Sequence, residues 1–344
     1  MSRTLLVTGG AGFIGSNFAR YWLDSRPDDR VVVLDALTYA GRLETIQDLR
    51  DDPRFAFHPG RIEDPTVVGG VIRCERVTHV VNFAAESHND RSLLDPLGLV
   101  ATNVAGVGVL LDACRRYGVE RMVHVSTDEV YGEIGSGQFV ETDPLEPRTP
   151  YSAGKAGGEL QARAYRIAYG TPVVITRGSN TFGPYQYPEK LLPFFITRAI
   201  RDKALPVYGA GDQVRDWIYV RDHCRGIATV LEHGALGEAY NVGGGNERPN
   251  IEVTRKVLDI LGKPHSLIRH IGDPRGASHD RRYALATDKV RALGWAPEAG
   301  FDAALEATVR WYVDHRAWWE PILADEGYQA FVARFYGKYL GEEL

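Results

Sequence analysis

Cysteine, long apolar runs and excess positive charge are all scarce in this sequence, and each scarcity excludes a class of protein. The 344 residues include three cysteines, Cys74, Cys114 and Cys224, which are far apart and form no C-x-x-C pair. This usage predicts that all three are small apolar core fillers in a reducing compartment, rather than parts of a disulfide framework or a zinc site. The formal net charge of −5 argues against a protein whose main partner is nucleic acid.

No run of about 18 apolar residues is apparent, so no transmembrane helix is expected. Met1 leads directly into a strand-like segment, so no signal peptide is expected. Apolar residues make up 44% of the chain and charged residues 25%, as in ordinary globular proteins. We therefore expect a cytoplasmic protein with one large α/β unit or two interlocked ones.

The first half of the chain alternates short apolar runs with amphipathic stretches. Continuous β-branched runs are typical of parallel strands that are covered on both faces. The predicted strands are Thr4–Thr8, Arg30–Leu34, Phe55–Phe57, His79–Phe83, Met122–Ser126 and Val173–Thr176. The predicted helices are Phe13–Ser25, Val104–Tyr117 and Ser152–Tyr169. This order predicts an α/β fold with a doubly wound parallel Rossmann sheet.

Prolines and aromatic residues become frequent after residue 178. We interpret residues 1–178 as a dinucleotide-binding domain and residues 179–344 as a smaller substrate-binding α/β domain. A late strand near residues 239–243 could rejoin the first sheet, so the two units are expected to be interlocked.

A glycine-rich turn follows the first predicted strand. Gly9, Gly12 and Gly15 form a G-x-x-G-x-x-G pattern at a strand-to-helix junction. Such a turn lets the backbone approach a pyrophosphate at the positive end of a helix. Asp35 ends the second strand, where an acid binds a ribose hydroxyl and disfavours the extra phosphate of NADP. The pattern predicts an NAD site.

Tyr151 and Lys155 are four residues apart and so share one helix face. A free tyrosine has a pKa near 10, and a neighbouring ammonium lowers it toward the range of a useful base. Ser126 and Thr127 end a preceding strand and offer a hydroxyl to the substrate oxygen. The pair alone occurs by chance in many helices, but with this hydroxyl it predicts hydride-transfer chemistry.

Two carboxylates, Asp128 and Glu129, follow Thr127 directly. Paired carboxylates can act as an acid and a base when their surroundings separate their pKa values. A simple dehydrogenase or epimerase has no need for such a pair, although adjacent acids can also cap a loop or pair with arginines.

These features together resemble the extended short-chain dehydrogenase/reductase superfamily over essentially the whole chain. Within it, the sequence resembles the dTDP-glucose 4,6-dehydratases. The matching segments lie at residues 84–88, 90–92, 126–132, 183–185 with 188–191, 215–217 and 279–283. The resemblance implies oxidation of C4 by NAD, removal of the C5 proton by Glu129, protonation of the leaving C6 oxygen by Asp128, and return of hydride to C6.

The resemblance also implies the binding residues and the assembly. The catalytic group is Thr127, Asp128, Glu129, Tyr151 and Lys155. The NAD-binding group is Gly9, Gly12, Phe13, Ile14, Gly15, Asp35, Leu37, Thr38, Ile62, Phe83, Ala84, Ala85, Ser87, Thr102, Tyr151, Lys155 and Thr181. The group for the nucleotide sugar, dTDP-glucose, is Ser87, His88, Thr127, Asn180, Lys190, Leu191, Pro206, Tyr208, Arg215, Asn250, His279 and Tyr283. No metal site and no nucleic-acid or membrane partner is expected, and a homodimer through helices 104–117 and 152–169 is implied.

The sequence departs from the family pattern at three places. Asn89 stands where a small apolar residue is usual, Thr181 and Phe182 replace an asparagine and a tyrosine, and Arg61 replaces an acid near the adenine. We expect these changes to affect cofactor affinity or subgroup. Arg215 could pair with the diphosphate or form a surface ion pair with Asp212 or Asp216.

Two alternative functions stay open at this stage. One is another nucleotide-sugar enzyme of the same fold, such as a UDP-glucose dehydratase, a decarboxylase or a 4-epimerase. The other is an NAD-sensing protein without catalysis, although retention of Tyr151 and Lys155 argues against it.

Overall fold

The computed structural model describes residues 2–341 of the chain, apart from the side chain of Ala277. Its strands are β1 (Thr4–Thr8), β2 (Arg30–Asp35), β3 (Phe55–Pro59), β4 (His79–Asn82), β5 (Arg121–Thr127), β6 (Val173–Gly178), β7 (Asn180–Phe182), β8 (Leu205–Tyr208), β9 (Val214–Tyr219), β10 (Ala239–Val242), β11 (Glu247–Pro249) and β12 (Ile268–Ile271). Its α-helices are α1 (Phe13–Ser25), α2 (Pro65–Cys74), α3 (Asn89–Leu94), α4 (Gly98–Val100), α5 (Val107–Tyr117), α6 (Pro150–Tyr169), α7 (Leu191–Ile200), α8 (Val220–His233), α9 (Asn250–Leu261), α10 (Asp288–Arg291), α11 (Phe301–Asp314), α12 (Arg316–Ala324) and α13 (Glu326–Leu340).

Seven strands of the described region form one parallel sheet in the order β10-β6-β5-β4-β1-β2-β3. Residues 5–7, 31–34 and 80–81 are buried in it. Helices cover both faces: Phe18 and Leu231, from α1 and α8, pack on one side, and Val68 and Leu110, from α2 and α5, pack on the other. Burial on both faces is the reason for the continuous apolar runs. The predicted α/β class with a doubly wound Rossmann sheet is confirmed.

The second half of the chain contributes to this sheet. Strand β10 pairs in parallel with β6, with Ala239 opposite Ile175. Smaller sheets, β11-β9-β7 and β12-β8, lie beyond the main sheet and pack with α7, α9 and α11 to α13. The division at residue 178 stays a prediction. Because β10 from the second half of the chain pairs with β6 from the first half, each half depends on the other for its packing.

The predicted helix Val104–Tyr117 begins earlier, at Gly98, and includes a π-helical segment, Ala101–Gly106. By length and composition, Gly98–Tyr117 could cross a membrane, contrary to the expectation from the sequence. The core helix of a soluble protein passes the same test, and 44% of the apolar window is buried here.

Helix α6 begins at Pro150, two residues before the predicted start, because Thr149 caps it. The Thr149 hydroxyl accepts a hydrogen bond from the backbone of Ser152, whose side chain bonds back to Thr149 in a capping box. The helix ends at Gly170, which has a φ of 72°. This cap fixes the start of the helix that carries Tyr151 and Lys155.

The cysteines differ from one another in environment. Cys114 and Cys224 are buried, as expected of apolar thiols, and burial raises the pKa of Cys114 to about 12. Cys74 is exposed at the end of α2, so the expectation that all three are core fillers is wrong for this residue.

Candidate active site

A cavity of about 370 Å³ opens at the carboxyl ends of the parallel strands, between the main sheet and the smaller ones. Ligands of doubly wound sheets bind at this edge. All the predicted site residues except Leu37 line it. These residues are Gly9, Gly12, Phe13, Ile14, Gly15, Asp35, Thr38, Ile62, Phe83, Ala84, Ala85, Ser87, His88, Thr102, Thr127, Asp128, Glu129, Tyr151, Lys155, Asn180, Thr181, Lys190, Leu191, Pro206, Tyr208, Arg215, Asn250, His279 and Tyr283.

The glycine turn between β1 and α1 forms a cradle that side chains would fill. Gly9 has a φ of +69°, and a Cβ there would lie 2.6 Å from the backbone nitrogen of Ala84. A Cβ on Gly15 would collide with the carbonyl oxygen of Gly9. Gly12 caps α1 without a side-chain hydrogen bond, so the first backbone N–H groups of the helix are available to an anion. This cradle fits the pyrophosphate of NAD.

Asp35 lies at the end of β2, where a ribose is expected. One carboxylate oxygen accepts a hydrogen bond from the Ala11 backbone at 2.9 Å, and the other accepts one from the Leu37 backbone at 2.8 Å. Burial raises the pKa of Asp35, and these two bonds oppose the rise. The carboxylate is therefore fixed in position for a diol.

Leu37 is the one predicted NAD residue that does not line the cavity. Its backbone adopts a left-handed conformation, with a φ of 49°, and its N–H is directed at Asp35. Its side chain packs against the core on the α1 side of the sheet. A contact between Leu37 and NAD stays a prediction, and the backbone N–H of Leu37 orients the Asp35 carboxylate.

Asp128 and Glu129 follow β5 in a short 3₁₀ helix, Asp128–Tyr131. The Thr127 hydroxyl caps this helix and donates to Asp128 Oδ1 at 3.2 Å. Burial, then the neighbouring charges of Glu129 and Asp216, raise the pKa of Asp128 well above the usual range. Its other oxygen, Oδ2, is buried without a hydrogen-bond partner among residues 2–341. A protonated acid with a free oxygen is suited to proton donation.

Tyr151 lies beside these carboxylates, and its pKa moves opposite to the expectation. Burial, followed by the charges of Glu129 and Asp128, raises the pKa of the phenol, and a hydrogen bond with Thr127 opposes this. The Lys155 ammonium donates to the Val125 carbonyl at 2.7 Å, and burial lowers its pKa to about 8. The predicted lowering of the Tyr151 pKa by Lys155 is therefore absent from this arrangement, because the ammonium is held by the backbone.

The part of the cavity wall that comes from the second half of the chain is polar and cationic. Lys190 donates to the Ser87 carbonyl at 2.7 Å, and its ammonium lies 5.9 Å from the centre of the Tyr151 ring. The amide oxygens of Asn180 and Asn250 are buried without partners in the described chain. These free polar atoms favour a polar ligand over an apolar one.

Arg215 forms no ion pair with Asp212 or Asp216 within the described residues. Its guanidinium donates to the carbonyl oxygens of Val214 and Asp280, both at 2.8 Å, and lies over the Tyr283 ring. Asp216 instead accepts hydrogen bonds from two backbone N–H groups of the 243–246 turn. The surface ion-pair interpretation is wrong, because the guanidinium is buried and fixed at the cavity wall.

Residues 273–283 and α13 complete the wall at this end. The imidazole of His279 is held by Asp273 at 2.6 Å and lies edge-on to the ring of Tyr208. The Tyr208 hydroxyl is 2.7 Å from that of Tyr336.

Several lining residues were not predicted from the sequence. Arg275 forms a partly buried ion pair with Asp90 at 2.6 Å, and Tyr336 reaches the cavity from the last helix. Arg275 lies four positions before the matching segment at residues 279–283, whereas only the packing of the C-terminal helices brings Tyr336 near. The adjacent Asp273-Pro274 turn is the one local signal that could have indicated Arg275.

The three departures lie in or near the cavity. Arg61 lines its adenine end and pairs with Glu63 at 3.7 Å. Thr181 is hydrogen-bonded to the buried imidazole of His223 at 2.8 Å. Asn89 bonds the Glu129 carboxylate, a contact that no sequence motif indicated.

The chain is similar to known proteins over most of its length. Residues 6–308 match the sequence model of a family described as GDP-mannose 4,6 dehydratase. The chain is 50% identical over 309 residues to the low-salt glycan biosynthesis protein Agl12 of Haloferax volcanii, covering 90% of this chain and 98% of that protein. It is 45% identical over 321 residues to a dTDP-glucose 4,6-dehydratase of an Actinoplanes species, covering 92% and 99%.

Among solved structures, the chain is similar to DesIV, a dTDP-glucose 4,6-dehydratase of Streptomyces venezuelae that was determined with NAD bound. The TM-score is 0.90 at 49% identity, covering 93% of this chain and 99% of DesIV. The resemblance predicted from the sequence and the NAD cofactor are confirmed. The chain therefore belongs to the GDP-mannose 4,6 dehydratase family, and within that family it is similar to the dTDP-glucose 4,6-dehydratases.

Proposed function

We propose that this protein is a hydro-lyase that converts dTDP-glucose to dTDP-4-keto-6-deoxy-glucose. The observation that carries the proposal is the pair of acids at the end of β5. Asp128 is buried with a raised pKa, and Glu129 follows it at the same cavity wall as Tyr151. An acid and a base side by side are what removal of water from a sugar requires.

The glycine cradle, Asp35 and Lys155 hold NAD in this proposal. When bound, NAD supplies the acceptor for the C4 hydride, the donor that returns it to C6, and a positive charge that opposes the carboxylates around Tyr151. Thr127 holds the C4 oxygen, and Tyr151 takes the C4 hydroxyl proton.

The two acids carry out the elimination. Oxidation at C4 makes the C5 proton acidic, and Glu129 removes it. Asp128 gives its proton to the C6 oxygen, which leaves as water. A proton then returns to C5 as hydride reaches C6, so the reaction is redox-neutral overall.

The nucleotide lies at the cationic end in this proposal. Arg215 and Lys190 face the diphosphate, Asn180 and Asn250 donate to it through their amide nitrogens, and Tyr208 packs on the base. Leu191, Pro206, His279 and Tyr283 complete this wall. The fixed Arg215 fork is suited to two phosphate oxygens.

Incubation with dTDP-, UDP-, CDP- and GDP-glucose tests the proposal, with the 4-keto product followed by its absorbance in alkali. We expect turnover with dTDP-glucose without added NAD, because each cycle regenerates the cofactor. Formation of dTDP-galactose instead would indicate a 4-epimerase. No reaction with any nucleotide sugar would contradict the proposal and favour an NAD-sensing protein without catalysis.

Replacement of each acid tests its role. Glu129→Gln is expected to lower kcat roughly 10²- to 10⁴-fold while NADH accumulates, because oxidation precedes its step. Asp128→Asn is expected to slow loss of water to a similar degree. Full turnover by either variant would contradict its assigned role.

We propose that the assembly is a homodimer through α5 and α6. A row of exposed apolar side chains follows these helices and the segment before α5, including Leu97 at 80% exposure and Ile167 at 83%. The row continues with Val100, Tyr117, Leu160 and Tyr169. Exposed apolar patches of this kind indicate an interface. The cytoplasmic location stays a prediction that cell fractionation can test.

A further inference from the structure

Asn89, at the first turn of α3, joins two parts of the active site. Its side-chain amide donates to Glu129 Oε2 at 2.5 Å. Its side-chain carbonyl accepts a hydrogen bond from the Thr149 hydroxyl at 2.9 Å. Asn89 is buried, and its bond to Thr149 is shielded from solvent.

Thr149 is the N-cap of α6, the helix that presents Tyr151 and Lys155. The bond from Thr149 also determines which way the Asn89 amide points, since its oxygen accepts from Thr149 and its nitrogen must then face Glu129. A single side chain therefore connects the carboxylate after β5 to the cap of α6.

Glu129 lies among several ionisable groups. Its charge raises the pKa values of Asp128, Tyr151, Asp280 and Tyr283, and it supports the charged form of Lys190. In this setting a carboxylate has nearby acidic groups with which it could exchange a proton or rotate to form a hydrogen bond. A neutral amide donor favours the ionised form and one rotamer of the carboxylate.

We propose that Asn89 is a positioning residue that holds the Glu129 carboxylate in one orientation, aimed at the substrate, and connects it to the cap of the helix that carries Tyr151. This inference rests on the proposed function for the identity of the base, and on the observed hydrogen bonds for the positioning itself. An apolar residue at position 89 could pack there but could not orient the carboxylate.

Two variants test the proposal. Asn89→Leu removes the amide, and Asn89→Asp keeps its size while placing a second carboxylate against Glu129. The first readout needs no turnover: protein labelled with ¹³Cδ-glutamate is examined by NMR, and the Glu129 signal is identified by its loss in Glu129→Gln. We expect that signal to shift and broaden in Asn89→Leu and in Asn89→Asp, because neither new side chain donates the hydrogen bond that holds the carboxylate in one orientation.

The second readout is kinetic and uses dTDP-glucose. We expect kcat to fall about tenfold, with KM within about twofold, NADH accumulating in single turnovers, and the acid limb of the pH profile moved upward. Ser92→Ala is the matched control, because the Ser92 hydroxyl bonds the backbone carbonyl of Asn89 and not Glu129. It is expected to leave both readouts unchanged.

An unchanged Glu129 signal in both variants would overturn the proposal, as would a lower melting temperature with a normal Glu129 signal and pH profile, which would indicate a capping role alone. If Asn89→Leu does not fold, the isosteric Asn89→Asp decides. If the wild type converts no nucleotide sugar, the proposed function fails, and the NMR signal still decides whether Asn89 positions Glu129.

Discussion

At the scale of single residues, burial determines which charges the site can hold. Asp128, with its raised pKa, is suited to be the proton donor because it is enclosed beside another acid. His223 and His88 are buried neutral imidazoles, and burial lowers the pKa of each to about 4. A sequence shows which residues can titrate, and the packing around them decides in which direction their pKa values move.

The buried histidines predict a loss of stability in acid. The unfolded state binds a proton near pH 6.5 and the folded state only near pH 4, so stability is complete above pH 6.5 and is lost as pH falls toward 4. Each histidine should cost about 2 kcal/mol of unfolding free energy between pH 7 and pH 5.

Urea unfolding of wild type and His223→Asn at pH 8, 7 and 5 measures this effect. The pH 8 value gives the cost of the smaller side chain, and the difference between pH 7 and pH 5 should shrink by about 2 kcal/mol in the variant. An equal pH dependence in the two proteins would show that folding does not lower the pKa of His223.

At the scale of elements, the strand-turn-helix unit at residues 4–25 follows directly from its sequence. The strand and helix bounds agree with those predicted, because the apolar run, the glycines and the helical periodicity are all local signals. The start of the helix Gly98–Tyr117 does not follow from its sequence in this way, because its first turns include a π-helical segment that local periodicity does not indicate.

The glycine turn predicts a difference between two alanine substitutions. Gly9→Ala should weaken NAD binding at least tenfold and destabilise the fold by about 1–3 kcal/mol, because its positive φ and the Ala84 backbone exclude a Cβ. Gly70→Ala, in α2 with no atom within 4 Å of the added Cβ, is the control and should stabilise by about 0.5–1 kcal/mol. Fluorescence titration with NAD and urea unfolding measure both, and equal NAD affinity in the two variants would refute the cradle.

At the scale of the whole molecule, the cavity exists because residues from both halves of the chain meet at one sheet edge. Thr127 and Asp35 come from the main sheet, whereas Arg215 and Asn250 come from the smaller sheet and α9. The exposed apolar row on α5 and α6 lies outside this cavity. A subunit interface there would leave the lining residues accessible.

The dimer proposal predicts that Ile167→Asp disrupts association. Burying an unpaired carboxylate in an apolar interface is unfavourable by several kcal/mol, so sedimentation equilibrium should show monomer for the variant and dimer for wild type. Val313→Asp changes a residue that is also exposed but lies on α11, and it should remain dimeric. A monomeric wild type, or a dimeric Ile167→Asp, would refute this interface.

The sequence by itself determined the α/β class, the dinucleotide turn with Asp35, and the family, because these depend on short-range periodicity and on motifs of fixed spacing. Tertiary structure alone decided that Lys155 bonds the Val125 carbonyl, that Arg215 is fixed by carbonyl oxygens, and that Leu37 orients Asp35. It also decided the contact between Asn89 and Glu129, which are 40 positions apart. Such contacts depend on which strand ends and helix caps converge, and no local pattern in the chain encodes that convergence.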